Sequence, residues 1–122
     1  MEDKSEREPY VKAEREPYVN SDDQTLLLIK GSIPDRDEAK RYVKRTANAV
    51  LQVVQKHGLA HLRCVGAAAL NNAVKATIIA SGDAKTKGMD FVISPSFQTV
   101  TFGDSGEKTA VVLKVFDFGD EG

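Results

Sequence analysis

Ala39, Tyr42, Val43, Thr46, Val50, Val53 and Val54 recur at helical spacing and form one apolar stripe. Such a stripe has to be buried against another element, so this stretch cannot stand alone. Lys40, Arg41, Lys44 and Arg45 fall largely on the opposite face. Ahead of the stripe, Ser32-Ile33-Pro34-Asp35-Arg36-Asp37-Glu38 carries Pro and acidic residues, which favour a helix start. Gly58 follows His57 and supplies a stop signal. These limits predict a helix over about 36–57.

The segments around that helix alternate in type. Thr25-Leu26-Leu27-Leu28-Ile29-Lys30, closed by Gly31-Ser32, reads as a buried strand. His61-Leu62-Arg63-Cys64-Val65-Gly66 reads as a second. Residues 67–81 are rich in Ala and predict a second helix stopped by Gly82, with 83–88 as a polar loop. Two further β-rich stretches, about 89–102 and 108–116, are joined by hairpin-turn chemistry at Asp104-Ser105-Gly106. The order is β-α-β-α-β-β, which predicts an α+β domain with a mixed four-stranded sheet packed with two helices. There is no Trp and hydrophobic residues make up 41% of the chain, so the core must be aliphatic with help from Phe.

Charge divides the chain into three. Residues 1–24 carry eight acids against four bases, and residues 117–122 add three acids. The central part, 25–116, has thirteen bases and seven acids, a net +6 hidden inside the overall −1. The expected organisation is a disordered acidic tail over 1–24, a basic domain over 25–116 and an acidic C-terminal tail over 117–122. A basic domain suits a polyanion, and acidic tails compete for the same surface. Within the first tail, Glu6-Arg7-Glu8-Pro9-Tyr10-Val11 is repeated as Glu14-Arg15-Glu16-Pro17-Tyr18-Val19. Two short polar copies build no solenoid. They are either a linear motif for a protein partner or a duplication within an unstructured leader.

The residues offer no catalytic constellation. Cys64 lies inside a predicted strand, bracketed by Leu62 and Val65, the setting of an inert thiol. His57 and His61 straddle Gly58 and lack a third ligand, so no metal site is expected. No phosphate-loop or dinucleotide fingerprint occurs, and no cofactor or enzymatic activity is expected. One cysteine, no membrane-length apolar run and no signal-peptide pattern lead to the expectation of a cytoplasmic protein without membrane contact, nucleoid-associated only if it binds nucleic acid. Lys30, Lys40, Arg41, Lys44, Arg45 and Lys75 remain as candidates for phosphate contact without base readout. Asn71 and Asn72 are further polar candidates, as ligand contacts, caps or interface groups.

Three ordered motifs carry a resemblance. Val65-Gly66-Ala67-Ala68-Ala69-Leu70-Asn71-Asn72-Ala73-Val74-Lys75-Ala76 resembles the signature of the bacterial stage V sporulation protein S family. Gly88-Met89-Asp90-Phe91-Val92-Ile93-Ser94-Pro95-Ser96-Phe97 is similar to that family's Gly-x-Asp and Pro-x-Phe segment. Glu107-Lys108-Thr109-Ala110 followed by Val111-Val112-Leu113-Lys114-Val115 is similar to its closing strand. The resemblance covers roughly 26–116 and implies an Alba-like two-layer sandwich, a homodimer or higher homo-oligomer, and a regulator that binds DNA or RNA. It also places Lys30 and Gly31-Ser32 where Alba proteins present lysines to DNA. The Gly66-Ala67-Ala68 turn takes the place of their Arg-Gly-Arg, with Val65 and Ala67 standing where the arginines would be. A different class stays open beside it: a structural or adaptor protein that self-assembles through its Ala-rich helix and strand edges and binds no nucleic acid.

Overall fold

The computed structural model describes residues 18–19, 23–101, 103 and 106–119. Its elements are β1 (Tyr18–Val19), β2 (Leu26–Ile29), α1 (Arg36–His57), β3 (Leu59–Cys64), α2 (Ala67–Lys85), β4 (Phe91–Thr101) and β5 (Glu107–Asp117). The expected β-α-β-α-β-β domain is present as a mixed sheet in the order β2-β3-β5-β4, extended at its β2 edge by the short β1. β2 and β3 are parallel, joined through α1, while β5 runs antiparallel to both β3 and β4. The expected tail segments fall mostly outside the described residues. Two residues assigned to the leader, Tyr18 and Val19, form β1, and the last strand reaches Asp117.

Alternation decides which sheet face meets the helices. Leu27, Ile29, Ala60, Leu62, Cys64, Leu113 and Val115 point to one side and join the core cluster. Against them α1 sets Tyr42, Val50 and Val54, and α2 sets Ala69, Ala73, Ala76 and Ala80. The four alanines are at most 1% exposed. Their small size lets α2 lie close to both α1 and the sheet, which a row of leucines would prevent.

Local chemistry sets the helix limits. Asp35 caps α1: its Oδ1 accepts from the Asp37 amide at 3.0 Å. At the other end Gly58 adopts φ 90°, and its amide donates to Val54 O at 2.8 Å. α2 begins at Gly66, whose φ 93° and ψ 161° define a backbone region open essentially to glycine alone. That conformation turns the chain from β3 into α2, and it is the physical reason for a glycine in the Val65-Gly66-Ala67 motif.

Two boundaries differ from expectation. α2 runs through Gly82 to Lys85, because Gly82 keeps an ordinary helical backbone and does not break the hydrogen-bond ladder. β3 starts at Leu59, directly after the Gly58 turn, and ends before Val65. The final hairpin has two eleven-residue strands, close to the expected 89–102 and 108–116. β3 pairs with β5 only as far as Cys64↔Val111, so residues 98–101 and 107–110 form a two-stranded arm beyond the body. Pro95 lies within β4, a position an edge strand tolerates because the missing amide faces outward.

Two glycines give opposite expectations. Gly66→Ala strains the backbone and is expected to lower stability by about 1–3 kcal/mol, although no atom lies within 4 Å of the added Cβ. Gly82→Ala meets nothing within 4 Å in a helical position and should raise stability by about 0.5–1 kcal/mol. Urea midpoints at constant slope measure both, and a matching sign for the two would refute this account of the turn.

Candidate functional site

The four cations expected on α1 separate into two rows. Lys40 and Lys44 stand one turn apart and face a groove between α1 and α2 of about 640 Å³. Arg36, one turn earlier, and Lys75, across the groove on α2, complete its basic rim. Ala39, Val43, Ile78 and Ile79 supply an apolar floor, and among the described residues no acid lines the groove. Arg41 and Arg45 lie on the adjacent row and turn to Glu38, at 2.9 Å and 3.5 Å. Hydrogen bonding from Arg41 lowers the Glu38 pKa, so this carboxylate stays ionised and offsets the charge of its partners.

Lys30 and the two asparagines fall into different roles. The Lys30 amide donates to the Tyr42 hydroxyl at 2.7 Å. Asn72 donates through Nδ2 to Lys30 O and to Gly31 O, each at 2.9 Å. Tyr42 is 1% exposed, and burial raises its hydroxyl pKa, so it remains a neutral acceptor for that amide. Tyr42 and Asn72 therefore knit the β2–α1 connection to both helices. The Asn72 side chain lines the groove but is committed to the backbone, while Asn71 is exposed. Lys30 does not line the groove.

Arg36 is the groove residue that composition and stripe reading passed over. Its signal was present: Arg36, Lys40 and Lys44 share i, i+4 and i+8 positions. A second basic feature was also missed, on the sheet face away from the helices. His61 pairs with Lys114 there, and Arg63 with Val112. Arg63 Nη1 donates to Gln98 Oε1 at 3.5 Å, and Lys114 Nζ lies 5.4 Å from the Phe116 ring centre. Period-two counting along the strands would have found this row.

Cys64 is 1% exposed and its Sγ lies 3.8 Å from Leu62 O. Burial pushes its thiol up to about 12. The native protein should therefore resist a thiol-reactive probe at mildly alkaline pH and react at once when unfolded. The raised folded value also means that the thiol supports folding below the unfolded value of 9.0. That support should be lost as pH rises from there toward about 12. Rapid labelling under native conditions would contradict the buried placement. Among the described residues, no three His, Cys, Asp or Glu side chains come together as metal ligands, and no helix is long and apolar enough to cross a membrane.

Residues 38–117, about two thirds of the chain, match the family model described as stage V sporulation protein S. The match takes in most of α1, all of α2 and the three strands β3, β4 and β5. Lys40, Lys44 and Lys75 lie inside it, while Lys30 and Arg36 precede it.

Proposed function

The chain belongs to the stage V sporulation protein S family, and from that membership we propose that it is a small nucleic-acid-binding regulator, not an enzyme. It acts in the cytoplasm, in the control of sporulation, and it grips phosphates without reading bases. The observation that carries this reading is the rim of Arg36, Lys40, Lys44 and Lys75 around an apolar-floored groove. Four cations on two packed helices hold a fixed spacing, so successive phosphates of one strand can meet them while sugars rest on the floor. Lys30, Arg41 and Arg45 add longer-range attraction. The acidic 1–24 and 117–122 segments, at −4 and −3, compete with nucleic acid for this surface.

The test is a titration of labelled duplex DNA and single-stranded RNA with the full chain and with residues 25–116. Affinity should fall roughly a hundredfold between about 50 mM and about 200 mM salt if four phosphates are neutralised. Removal of the acidic segments should strengthen binding. Absence of binding to either nucleic acid at low salt would overturn the proposal.

A second reading rests on a separate observation. Phe97 is 81% exposed and Ile78 63%, with Val74 and Ile93 at 39% and 40%. Ile93 and Phe97 pair with Val115 and Val111, which places them on the helix-bearing side of edge strand β4. Apolar surface of this kind suits self-association into a dimer or larger assembly. Such an assembly survives high salt and weakens in Phe97→Ser, both readable by sedimentation, whereas phosphate binding collapses with salt.

A further inference from the structure

The groove between α1 and α2 holds two chemistries, and phosphate contact draws mainly on one. Arg36, Lys40, Lys44 and Lys75 supply charge. Val43, Ile78 and Ile79 supply aliphatic surface, with Ile78 63% and Ile79 37% exposed. Phosphates and sugars are polar and gain little from isoleucine. Helical spacing builds both walls. Arg36, Ala39, Lys40, Val43 and Lys44 stand at i, i+3, i+4, i+7 and i+8 on α1, so cations and apolar side chains interleave there. On α2, Lys75 shares a face with Ile78 and Ile79.

We propose that this groove binds a single-chain amphiphilic anion, an aliphatic carboxylate or alkyl phosphate, and that the bound ligand displaces nucleic acid. The ligand site stands on the groove alone, whereas the displacement rests on the nucleic-acid reading above. A volume of about 640 Å³ lies within the size of small-molecule sites. From Arg36 to Lys44 the helix rises about 12 Å, room for a medium-length alkyl chain laid along the floor. Seating that chain on Val43, Ile78 and Ile79 removes aliphatic surface from water on both partners, worth up to about fourfold in affinity per methylene. Charge holds the head. The Asn72 amide commits both hydrogens to Lys30 O and Gly31 O and has none for a ligand. The groove therefore selects a class, an anionic head on an alkyl chain, and not one head group.

Calorimetry of the full chain with saturated carboxylates from hexanoate to tetradecanoate, kept below micelle formation, reads the floor. Affinity should climb roughly two- to fourfold per methylene and level off once the chain outgrows the groove. Decanol lacks the charge and should bind roughly tenfold more weakly than decanoate. Ile78→Ser should weaken decanoate about fivefold. Phe97→Ser, at an exposed apolar residue of β4 outside the groove, should bind it as the parent does. Decanoate should also displace labelled RNA over the same concentrations at which it binds.

Equal weakening by the two substitutions, affinity that rises without levelling, or decanol as tight as decanoate would mean adsorption to any apolar surface and would overturn the site. A parent that binds RNA but no carboxylate would also overturn it, and would leave the nucleic-acid reading standing. Carboxylate binding without RNA binding would overturn that reading and the displacement, and would support the ligand site. Flotation with phosphatidylglycerol vesicles but no binding of free carboxylate would make the anion a membrane surface. Loss of a dimer in Ile78→Ser, with no carboxylate bound by the parent, would make the floor a contact between copies. Either of these last two outcomes overturns the proposal.

Discussion

Lys40→Ala/Lys44→Ala/Lys75→Ala binds nucleic acid a few hundredfold more weakly than the parent at about 0.1 M salt, and its salt slope is shallower by about three. The size follows from counterion release. Each phosphate contact contributes close to one power of the salt concentration, so each is worth roughly eightfold at about 0.1 M. These three side chains face one groove together with Arg36, so their losses fall on one bound strand. Arg41→Ala/Arg45→Ala removes two charges as well, but both already partner Glu38, which is ionised beside them. Its effect on binding should be several times smaller. Its effect on stability should also be slight, because exposed ion pairs are typically worth at most about 1 kcal/mol. Equal loss in the two variants would mean that the chain attracts nucleic acid by diffuse charge and that the groove is not the site.

That comparison turns on a distinction only the folded chain makes. From the sequence, Lys40, Arg41, Lys44 and Arg45 form one solvated face, because helical spacing gives each side chain an angle but not a neighbour. Glu38, read there as a helix-start acid, also captures the Arg41/Arg45 row. Lys75 joins the other row only because α2 packs beside α1, a contact between residues some thirty positions apart. By contrast the layer order was legible, since an apolar stripe at helical spacing and short aliphatic runs each permit one kind of burial. Gly82 misled for a definite reason. Glycine permits a left-handed turn without requiring one, and here the alanines on either side keep the helix packed to Lys85. The two hairpin strands were legible as well, but not that β3 stops pairing at Cys64↔Val111 and leaves their far ends paired only with each other, since pairing partners are set by the sheet and not by either strand's own residues.

Asn72 is where fold and site depend on one side chain, and Asn72→Asp is expected to be the most damaging conservative change in the domain. The parent amide spends both of its hydrogens, on Lys30 O and Gly31 O at 2.9 Å each. A carboxylate has none to give and would face two carbonyl oxygens at hydrogen-bond distance. Two lost bonds and two unsatisfied acceptors amount to about 3 kcal/mol, with the like-charge contact in addition. In a domain of this size that is a melting-temperature drop of roughly 10–20 °C. Asn72→Ala loses the same bonds without the added repulsion and should fall less. The two variants separate further with pH. Once protonated, the introduced carboxyl regains one donor, so its folded pKa lies above the unfolded value of about 3.9. A raised folded pKa supports folding below the unfolded value and is lost as pH rises through the folded one. Asn72→Asp should therefore approach or exceed Asn72→Ala in stability near pH 4 and fall below it toward neutrality. Thermal melts of the two across that range test the arrangement. Curves that run parallel would show that the side chain at this position does not face the Lys30 and Gly31 carbonyls. The β2–α1 connection would then need another clamp beside Tyr42.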